Sequence, residues 1–206
     1  MKELHTTKPL VIGIIGLPGA GKTHFAREFS SMFGAPAIEA ELLSRTIFAG
    51  RATTREDEEG LARAYWALAS EFFKMNRTFI LDGHLHTYAN RSEVRALAKN
   101  AGYDVLWVWV QTSEAVARDR ATRVKRNPAN TILTAQQFTQ ATKSFQPPRA
   151  SETHVVTSGQ RTFSSQVRPI LARLAEAHES KLQTPRPTER PSDQPDRPQR
   201  RNIFIR

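Results

Sequence analysis

The chain has 206 residues, of which 39% are hydrophobic, and this is enough for one globular domain with its own core. It contains no cysteine, which excludes disulfides and thiolate metal sites and fits a reducing compartment, so we expect a cytoplasmic protein. The formal net charge of +10 favours anionic ligands such as nucleotides, nucleic acid or acidic lipid.

Short apolar runs alternate with segments of helical spacing along residues 1–182. We predict strands at Leu10–Ile15, Pro36–Ile38, Thr78–Leu81, Val105–Val110 and His154–Thr157, and helices at Thr23–Phe33, Glu39–Phe48, Arg55–Asn76, Asn90–Ala101, Ser113–Arg126, Thr134–Phe145 and Phe163–Leu182. This alternation predicts a three-layer α/β fold, with a five-stranded parallel sheet covered on both faces. The longest apolar run is too short to cross a bilayer, so we expect no membrane partner.

The first apolar run resembles the core of a secretory signal, because Lys2 and Lys8 precede Leu10–Leu17. It continues directly into a glycine-rich segment without a small-residue cleavage site. A buried strand that leads into a glycine loop accounts for every residue of this stretch, and we therefore do not expect export.

The glycine-rich segment is a phosphate-binding loop by its sequence. Gly16-Leu17-Pro18-Gly19-Ala20-Gly21-Lys22-Thr23 matches G-x-x-x-x-G-K-[ST] at every fixed position, with a strand before it and a helix after it. Glycines let backbone N–H groups approach phosphate oxygens, and the helix directs its positive end at the same anion. We expect Lys22 to reach the β- and γ-phosphates and Thr23 to bind Mg²⁺, with His24 in the adjoining turn. The segment predicts binding of ATP with Mg²⁺.

A carboxylate follows the third strand, where ligands of open α/β sheets bind. Asp82 is therefore expected to hold Mg²⁺ together with Thr23, although an Asp-Gly pair is also typical of a simple turn. His84 and His86 lie beside it. Without cysteine or another histidine nearby, they are expected to line an acceptor pocket or cap a turn rather than bind zinc.

Arginines crowd the helix after the fourth strand. Arg120, Arg123 and Arg126 are spaced three apart and can share one face, where they would repel each other unless an anion lies between them. A triphosphate during transfer is such an anion. The alternative is a solvated basic helix.

From Gln183 to Arg206 the composition changes sharply. Five of the twelve prolines lie in residues 183–199, among charged and small polar residues. We expect 183–206 to be a disordered tail outside the domain, with the terminal apolar residues Ile203–Ile205 able to dock on a protein partner or to fray.

The sequence resembles the small phosphate-loop kinases that include polynucleotide kinase, zeta-toxin-like kinases and antibiotic phosphotransferases. The resemblance covers about Lys8–Leu182 and is carried by Ile80-Leu81-Asp82-Gly83, Arg91, Ala101-Gly102-Tyr103, Val108-Trp109-Val110, Ala117-Arg118-Asp119-Arg120, Arg123, Phe145-Gln146-Pro147-Pro148 and Glu152. It implies a nucleoside-kinase-like fold in which Arg120 and Arg123, with Arg126 as a third candidate, form a helical lid over ATP. It also implies that Pro148 borders the adenine.

The chain departs from this family at one place. Many relatives have Asp, the general base, three residues before an Arg that follows the second strand. Here the arginine is Arg45, but Leu42 stands at the Asp position, with Glu41 just before it. Glu41 is our candidate base, since a carboxylate needs only hydrogen-bond reach of the attacking hydroxyl. The resemblance implies that Arg45 holds an acidic group of the acceptor; a surface arginine is the alternative.

These observations predict an ATP-dependent kinase acting on a hydroxyl of a small molecule. Two alternatives remain open at this point. One is a regulatory ATPase or scaffold that binds a partner through its tail, and the other is a polynucleotide 5′-hydroxyl kinase. The second is disfavoured because few aromatic residues are spaced for stacking on bases.

Overall fold

The computed structural model describes residues 4, 6, 8–49, 51, 53–123 and 132–182, and for 177–182 it describes the backbone alone. The predicted tail and Arg126 lie outside the described residues. In chain order the elements are β1 (Leu10–Ile15), α1 (Lys22–Phe33), β2 (Ala37–Glu39), α2 (Ala40–Phe48), α3 (Arg55–Lys74), β3 (Phe79–Asp82), α4 (Tyr88–Asn100), β4 (Asp104–Gln111), α5 (Glu114–Thr122), α6 (Ala135–Ser144), β5 (His154–Ser158) and α7 (Phe163–Leu182).

The described strands form one five-stranded sheet in the order β2-β3-β1-β4-β5. Every described strand pair is parallel. β1 therefore lies in the middle, with β2 and β3 on one side and β4 and β5 on the other, and the chain crosses over β1 between β3 and β4. This places the loop after β1 at the point where the strand order reverses, which is where open parallel sheets bind ligands.

Two apolar layers enclose the sheet, as the alternation predicts. On one face the phenylalanines of α1 and the apolar residues of α7 pack on alternate residues of β1 and β4. On the other face α3 and α4 pack on the intervening residues, around Trp107. A small separate cluster of Ala117, Ala121 and Phe138 joins α5 to α6. The three-layer α/β fold is confirmed.

The helix starts follow local capping chemistry. Thr54 caps α3 through the Asp57 backbone N–H, and the Asp57 side chain accepts from the Thr54 backbone in return. Thr134 and Gln137 form the same capping box at α6. These reciprocal bonds satisfy N–H groups that have no partner within the helix.

A buried ion pair fixes the segment between α6 and β5. Arg91 of α4 and Glu152 are both fully buried, and Arg91 Nε donates to Glu152 Oε1 at 2.8 Å. The same guanidinium donates to the carbonyls of Leu85 and Gln146 at 3.0 Å. One arginine thus ties α4, the loop after β3 and the residues before β5 together, because each of its donors has a partner of its own.

Candidate functional site

The phosphate loop connects β1 to α1 in a conformation that its glycines permit. Gly16, Gly19 and Gly21 have φ values of +151°, +78° and +102°. A Cβ on Gly19 would lie 2.2 Å from the carbonyl oxygen of Ala117 in α5, and one on Gly16 would lie 2.5 Å from that of Val110. Gly16 and Gly19 are therefore required by both backbone conformation and close packing, and Gly21 by its backbone conformation.

The N-terminus of α1 presents its backbone donors to this loop. The N-cap is Gly21, which makes no side-chain cap, and the first turn (Lys22, Thr23, His24) contains no acidic residue. The first N–H groups of the helix therefore remain available to an anion, and the helix dipole favours a negative charge at the same place. The side chain of His24 is exposed.

Lys22 lies across the loop, and its ammonium donates to the carbonyl of Leu17 at 3.0 Å. Burial lowers the pKa of Lys22, while the charges of Asp82 and Glu41 act in the opposite direction. Two carboxylates from different elements are thus close enough to influence this ammonium group. A lysine held over the loop in this way can contact the terminal phosphates of a nucleotide.

Thr23 and Asp82 meet although 59 positions separate them, and the Thr23 hydroxyl donates to Asp82 Oδ2 at 2.6 Å. Asp82 is the last residue of β3 and pairs in register with Ile14 of β1, which places it beside the loop. Burial raises the pKa of Asp82, whereas the charge of Lys22 and the hydrogen bond from Thr23 act to lower it. The hydroxyl and carboxylate oxygens are hard ligands of the kind that Mg²⁺ prefers alongside nucleotide phosphates. The residues present therefore fit Mg²⁺.

Two glutamates, one at the end of β2 and one just after it, lie at the same sheet edge and have different surroundings. Arg27 of α1 holds Glu39, donating from Nη2 at 2.6 Å and from Nε at 3.0 Å. Glu41, in the first turn of α2, lies within electrostatic reach of Lys22 and Asp82, and its charge raises the pKa of both. Leu42 is 47% exposed. The structure thus brings Glu41, rather than position 42, close to the loop lysine.

The arginine-rich helix differs from the prediction. α5 ends at Thr122, and Arg123 has an extended backbone, so Arg120 and Arg123 do not continue along one helical face. Arg123 pairs with Asp119 at 2.6 Å and Arg118 with Glu114 at 2.9 Å. The repulsion expected between these arginines is therefore reduced by carboxylates one turn earlier in the same helix. A role for Arg123 at the nucleotide stays a prediction.

Arg120 instead connects α5 to the loop after β5. Its Nη1 donates to the carbonyl of Gly159 at 3.0 Å. Gly159 packs directly on the phosphate loop, because a Cβ there would lie 1.8 Å from the carbonyl oxygen of Ala20. Sequence reasoning missed Gly159; its only signal was a glycine two residues after the last predicted strand.

A cleft of about 870 Å³ opens at the carboxyl ends of β4 and β5 and reaches the phosphate loop at Leu17. Gln111, Gln160 and Arg161 contribute polar groups to its lining. Its position next to the loop suits the nucleoside part of a nucleotide, since ligands of such sheets extend along this edge.

Pro148, predicted to border the adenine, is not among the described residues that line this cleft. Its segment lies against α4, where Arg91 donates to the Pro147 carbonyl at 3.3 Å and the Arg149 guanidinium stacks on the Tyr88 ring at 3.6 Å. A contact between Pro148 and adenine stays a prediction.

The expected acceptor residues lie on the other side of Asp82. His84 follows it in the loop after β3, and Arg45 lies one helical turn after Glu41 on α2. Among the described residues, Arg45 Nε and His84 Nε2 have no hydrogen-bond partner, and the same holds for the hydroxyl of Tyr65 on α3. Sequence analysis did not single out Tyr65, because only the fold places its ring beside His84.

Known proteins share this architecture. The model of the AAA domain family matches residues 11–148. A probable adenylyl-sulfate kinase of Aeropyrum pernix is 25% identical over 150 residues, an alignment that covers 68% of this chain and 79% of the relative.

Two solved structures show the same fold. A gluconokinase from Sinorhizobium meliloti 1021 superposes with a TM-score of 0.61 at 20% identity, covering 84% of this chain and 96% of its own. Chaetomium thermophilum Kti12 in complex with ADP-AlF3 superposes with a TM-score of 0.64 at 18% identity, covering 82% and 99%.

None of the described helices combines the length and the apolar character that crossing a bilayer would need.

The family match begins in the central strand and ends beyond α6, so it includes the phosphate loop, Asp82 and the arginine-bearing helix. It spans more than half of the 206 residues. The chain therefore belongs to the AAA domain family, and its P-loop NTPase fold is that of the small kinases.

Proposed function

We propose that this protein is a kinase that transfers the γ-phosphoryl group of ATP to a hydroxyl group of a small molecule. The main observation behind the proposal is the hydrogen bond of 2.6 Å between Thr23 and Asp82. Lys22 lies next to it, within electrostatic reach of both Asp82 and Glu41. A metal position, a phosphate-binding cation and a separate carboxylate are the parts that phosphoryl transfer needs.

In the proposed reaction the N–H groups of the loop and Lys22 hold the β- and γ-phosphates. Thr23 and Asp82 would hold Mg²⁺, which when bound neutralises charge on the phosphate oxygens. The acceptor oxygen forms a bond to the γ-phosphorus while the bond from that phosphorus to the bridging oxygen breaks, and ADP leaves. Glu41 takes the proton of the attacking hydroxyl.

The arginine-bearing helix would complete the site on the nucleotide side. Arg120 already contacts the loop that packs on the phosphate loop, and Arg123 lies three residues further at the end of α5. Arginine is suited to the charge that spreads over the transferring phosphoryl group. On the acceptor side, Arg45 would hold an acidic group and His84 would line the pocket.

The comparisons support phosphoryl transfer over simple hydrolysis, because the relatives include a gluconokinase and a probable adenylyl-sulfate kinase. The similarity to Kti12, crystallised with ADP-AlF3, supports nucleotide binding. It also keeps a regulatory ATPase as the second candidate. Deleting residues 183–206 separates the two: a kinase keeps its acceptor-dependent turnover, whereas a regulatory ATPase that works through its tail loses its partner.

The deciding experiment measures ADP release with sugars, sugar acids, nucleosides, antibiotics and oligonucleotide 5′ ends. We expect one class of small acceptor to stimulate release, and Glu41→Gln to lower that stimulated rate by about 10²–10⁴-fold. Glu28→Gln is the matched control, since Glu28 is an exposed carboxylate on α1. ATP hydrolysis that ignores every acceptor and is insensitive to Glu41→Gln would refute the kinase. Stimulation by oligonucleotide ends alone, with steep salt dependence, would indicate the polynucleotide kinase.

A further inference from the structure

Polar atoms without partners are concentrated on one side of the phosphate loop. Among the described residues, four buried side-chain nitrogen or oxygen atoms have no hydrogen-bond partner. Three of them, Arg45 Nε, Tyr65 Oη and His84 Nε2, belong to α2, α3 and the loop after β3. Burying a polar atom without a partner disfavours folding, so a cluster of such atoms needs an explanation.

Tyr65 is fully buried, and its hydroxyl lies within the electrostatic reach of Asp82. Burial raises the pKa of the Tyr65 phenol, and the Asp82 charge raises it further. The ring packs against that of His84, with centroids 5.0 Å apart and planes inclined at 63°. The Tyr65 ring therefore lies against the loop that follows Asp82, on the proposed acceptor side of the phosphate loop.

His84 is held in place by its backbone. Its φ of +53° is unusual for a residue other than glycine, and its carbonyl accepts from Asn90 Nδ2 at 2.7 Å. The preceding Gly83 lets the loop approach α2, since a Cβ there would lie 2.3 Å from the Ala40 Cβ. Strain of this kind persists where the surroundings hold a side chain in position.

α2 covers these groups but is weakly anchored. Leu43 packs against the apolar cluster that contains Tyr65. None of the described residues of α2 is itself buried, and Leu42 and Ile47 are 47% and 50% exposed. An element with so little buried apolar surface opens at low cost in free energy, which gives a small molecule access to the atoms beneath it.

We propose that Tyr65 and His84 bind a second hydroxyl group of the acceptor, next to the hydroxyl that is phosphorylated, so that the substrates are polyols such as sugars or sugar acids. This inference rests on the proposed kinase function. A hydroxyl both donates and accepts a hydrogen bond, which suits a phenol hydroxyl and an imidazole nitrogen that have no partner of their own. An anionic group would be repelled here by Asp82, and the acidic part of an acceptor therefore belongs nearer to Arg45.

The kinetic test uses monodeoxy analogues of whichever sugar, sugar acid or nucleoside stimulates ADP release. Removing the hydroxyl next to the phosphorylated one is expected to lower kcat/KM by about 10²-fold or more in the wild type. The same removal should cost less than about tenfold in Tyr65→Phe or in His84→Asn, which keeps a residue that tolerates positive φ. Stimulation that is indifferent to every deoxy position overturns this inference and leaves the kinase standing. Absence of stimulation by any acceptor overturns the kinase proposal, and this inference with it.

A thermal test needs no acceptor. The hydroxyl of Tyr103 is also partly buried, but it donates to the Phe72 carbonyl at 3.2 Å and accepts from the Arg77 N–H at 3.0 Å. Tyr103→Phe therefore removes a satisfied hydroxyl and should lower Tm by about 2–4 °C. Tyr65→Phe removes one without a partner and should leave Tm within about 1 °C of the wild type or raise it. A loss in Tyr65→Phe as large as that in Tyr103→Phe would show a structural role and overturn the inference.

Discussion

Gly159 lies between β5 and α7 and touches the phosphate loop, so an added methyl group there tests how the site is built. In Gly159→Ala the new Cβ would lie 1.8 Å from the Ala20 carbonyl oxygen and 2.5 Å from Thr112 Oγ1. A relaxed contact between carbon and oxygen needs roughly 3.5 Å, so the two loops must separate by about 1.5 Å. Overpacking of this size costs about 1–3 kcal/mol.

Ala20 directly precedes Gly21, the N-cap of α1, so the separation displaces the N–H groups that would face the phosphates. If nucleotide binding bears the cost of about 1–3 kcal/mol, the affinity for MgATP falls by roughly 5–150-fold. Titration calorimetry with MgATP measures this loss of affinity directly. Urea unfolding measures any decrease in the free energy of unfolding that accompanies it.

Gly60→Ala is the matched control for this substitution. Gly60 lies inside α3, and its nearest contact to an added Cβ is the end of the Arg63 side chain at 3.7 Å. The methyl group should therefore stabilise the protein by about 0.5–1 kcal/mol and leave nucleotide affinity unchanged. If Gly159→Ala binds MgATP within about twofold of the wild type and is equally stable, the proposed contact between the loops is wrong.

Two further substitutions test the buried charges. Because burial raises the pKa of Asp82 above its ordinary 3.8, folding favours the protonated form, and stability is lost as pH rises through the raised pKa. Asp82→Asn should therefore have a higher Tm than the wild type near pH 7 and the same Tm below pH 3.8, and it should lose Mg²⁺-dependent ATP binding. A Tm below that of the wild type near pH 7 would contradict the burial argument. Arg91→Met leaves Glu152 buried without its cation and should cost about 3–5 kcal/mol in urea unfolding, partly recovered by adding Glu152→Gln. Additive costs in the double variant would show that the pair is not coupled.

Local signals in the sequence determine much of this molecule. The apolar runs and helical spacings predict each of the twelve elements in the described part of the chain to within a few residues at most ends, because strand and helix periodicities are set by neighbours along the chain. The phosphate loop is contiguous, so its strand, glycines, lysine and helix are all visible in one stretch of sequence.

The end of the arginine helix was less predictable. The spacing of Arg120, Arg123 and Arg126 fits a continuing helix, but α5 ends at Thr122. Arg118 and Arg123 each form an ion pair with a carboxylate four residues earlier, so their charges are balanced locally. Periodicity alone could not tell a shared anion site from pairs within the helix, since residues three apart and residues four apart both lie on one helical face.

The site itself was decided by tertiary structure. Thr23 binds Asp82 across 59 positions, and Gly159 packs on Ala20, only because β3 and β4 flank β1 and β5 follows β4 in the sheet. An alternation of strands and helices is compatible with several strand orders, and each order would bring different residues to the phosphate loop. The sequence by itself thus determined the elements and the nucleotide-binding loop. The burial of Asp82 and the side chains that face it depend on packing between distant segments, which no local pattern encodes.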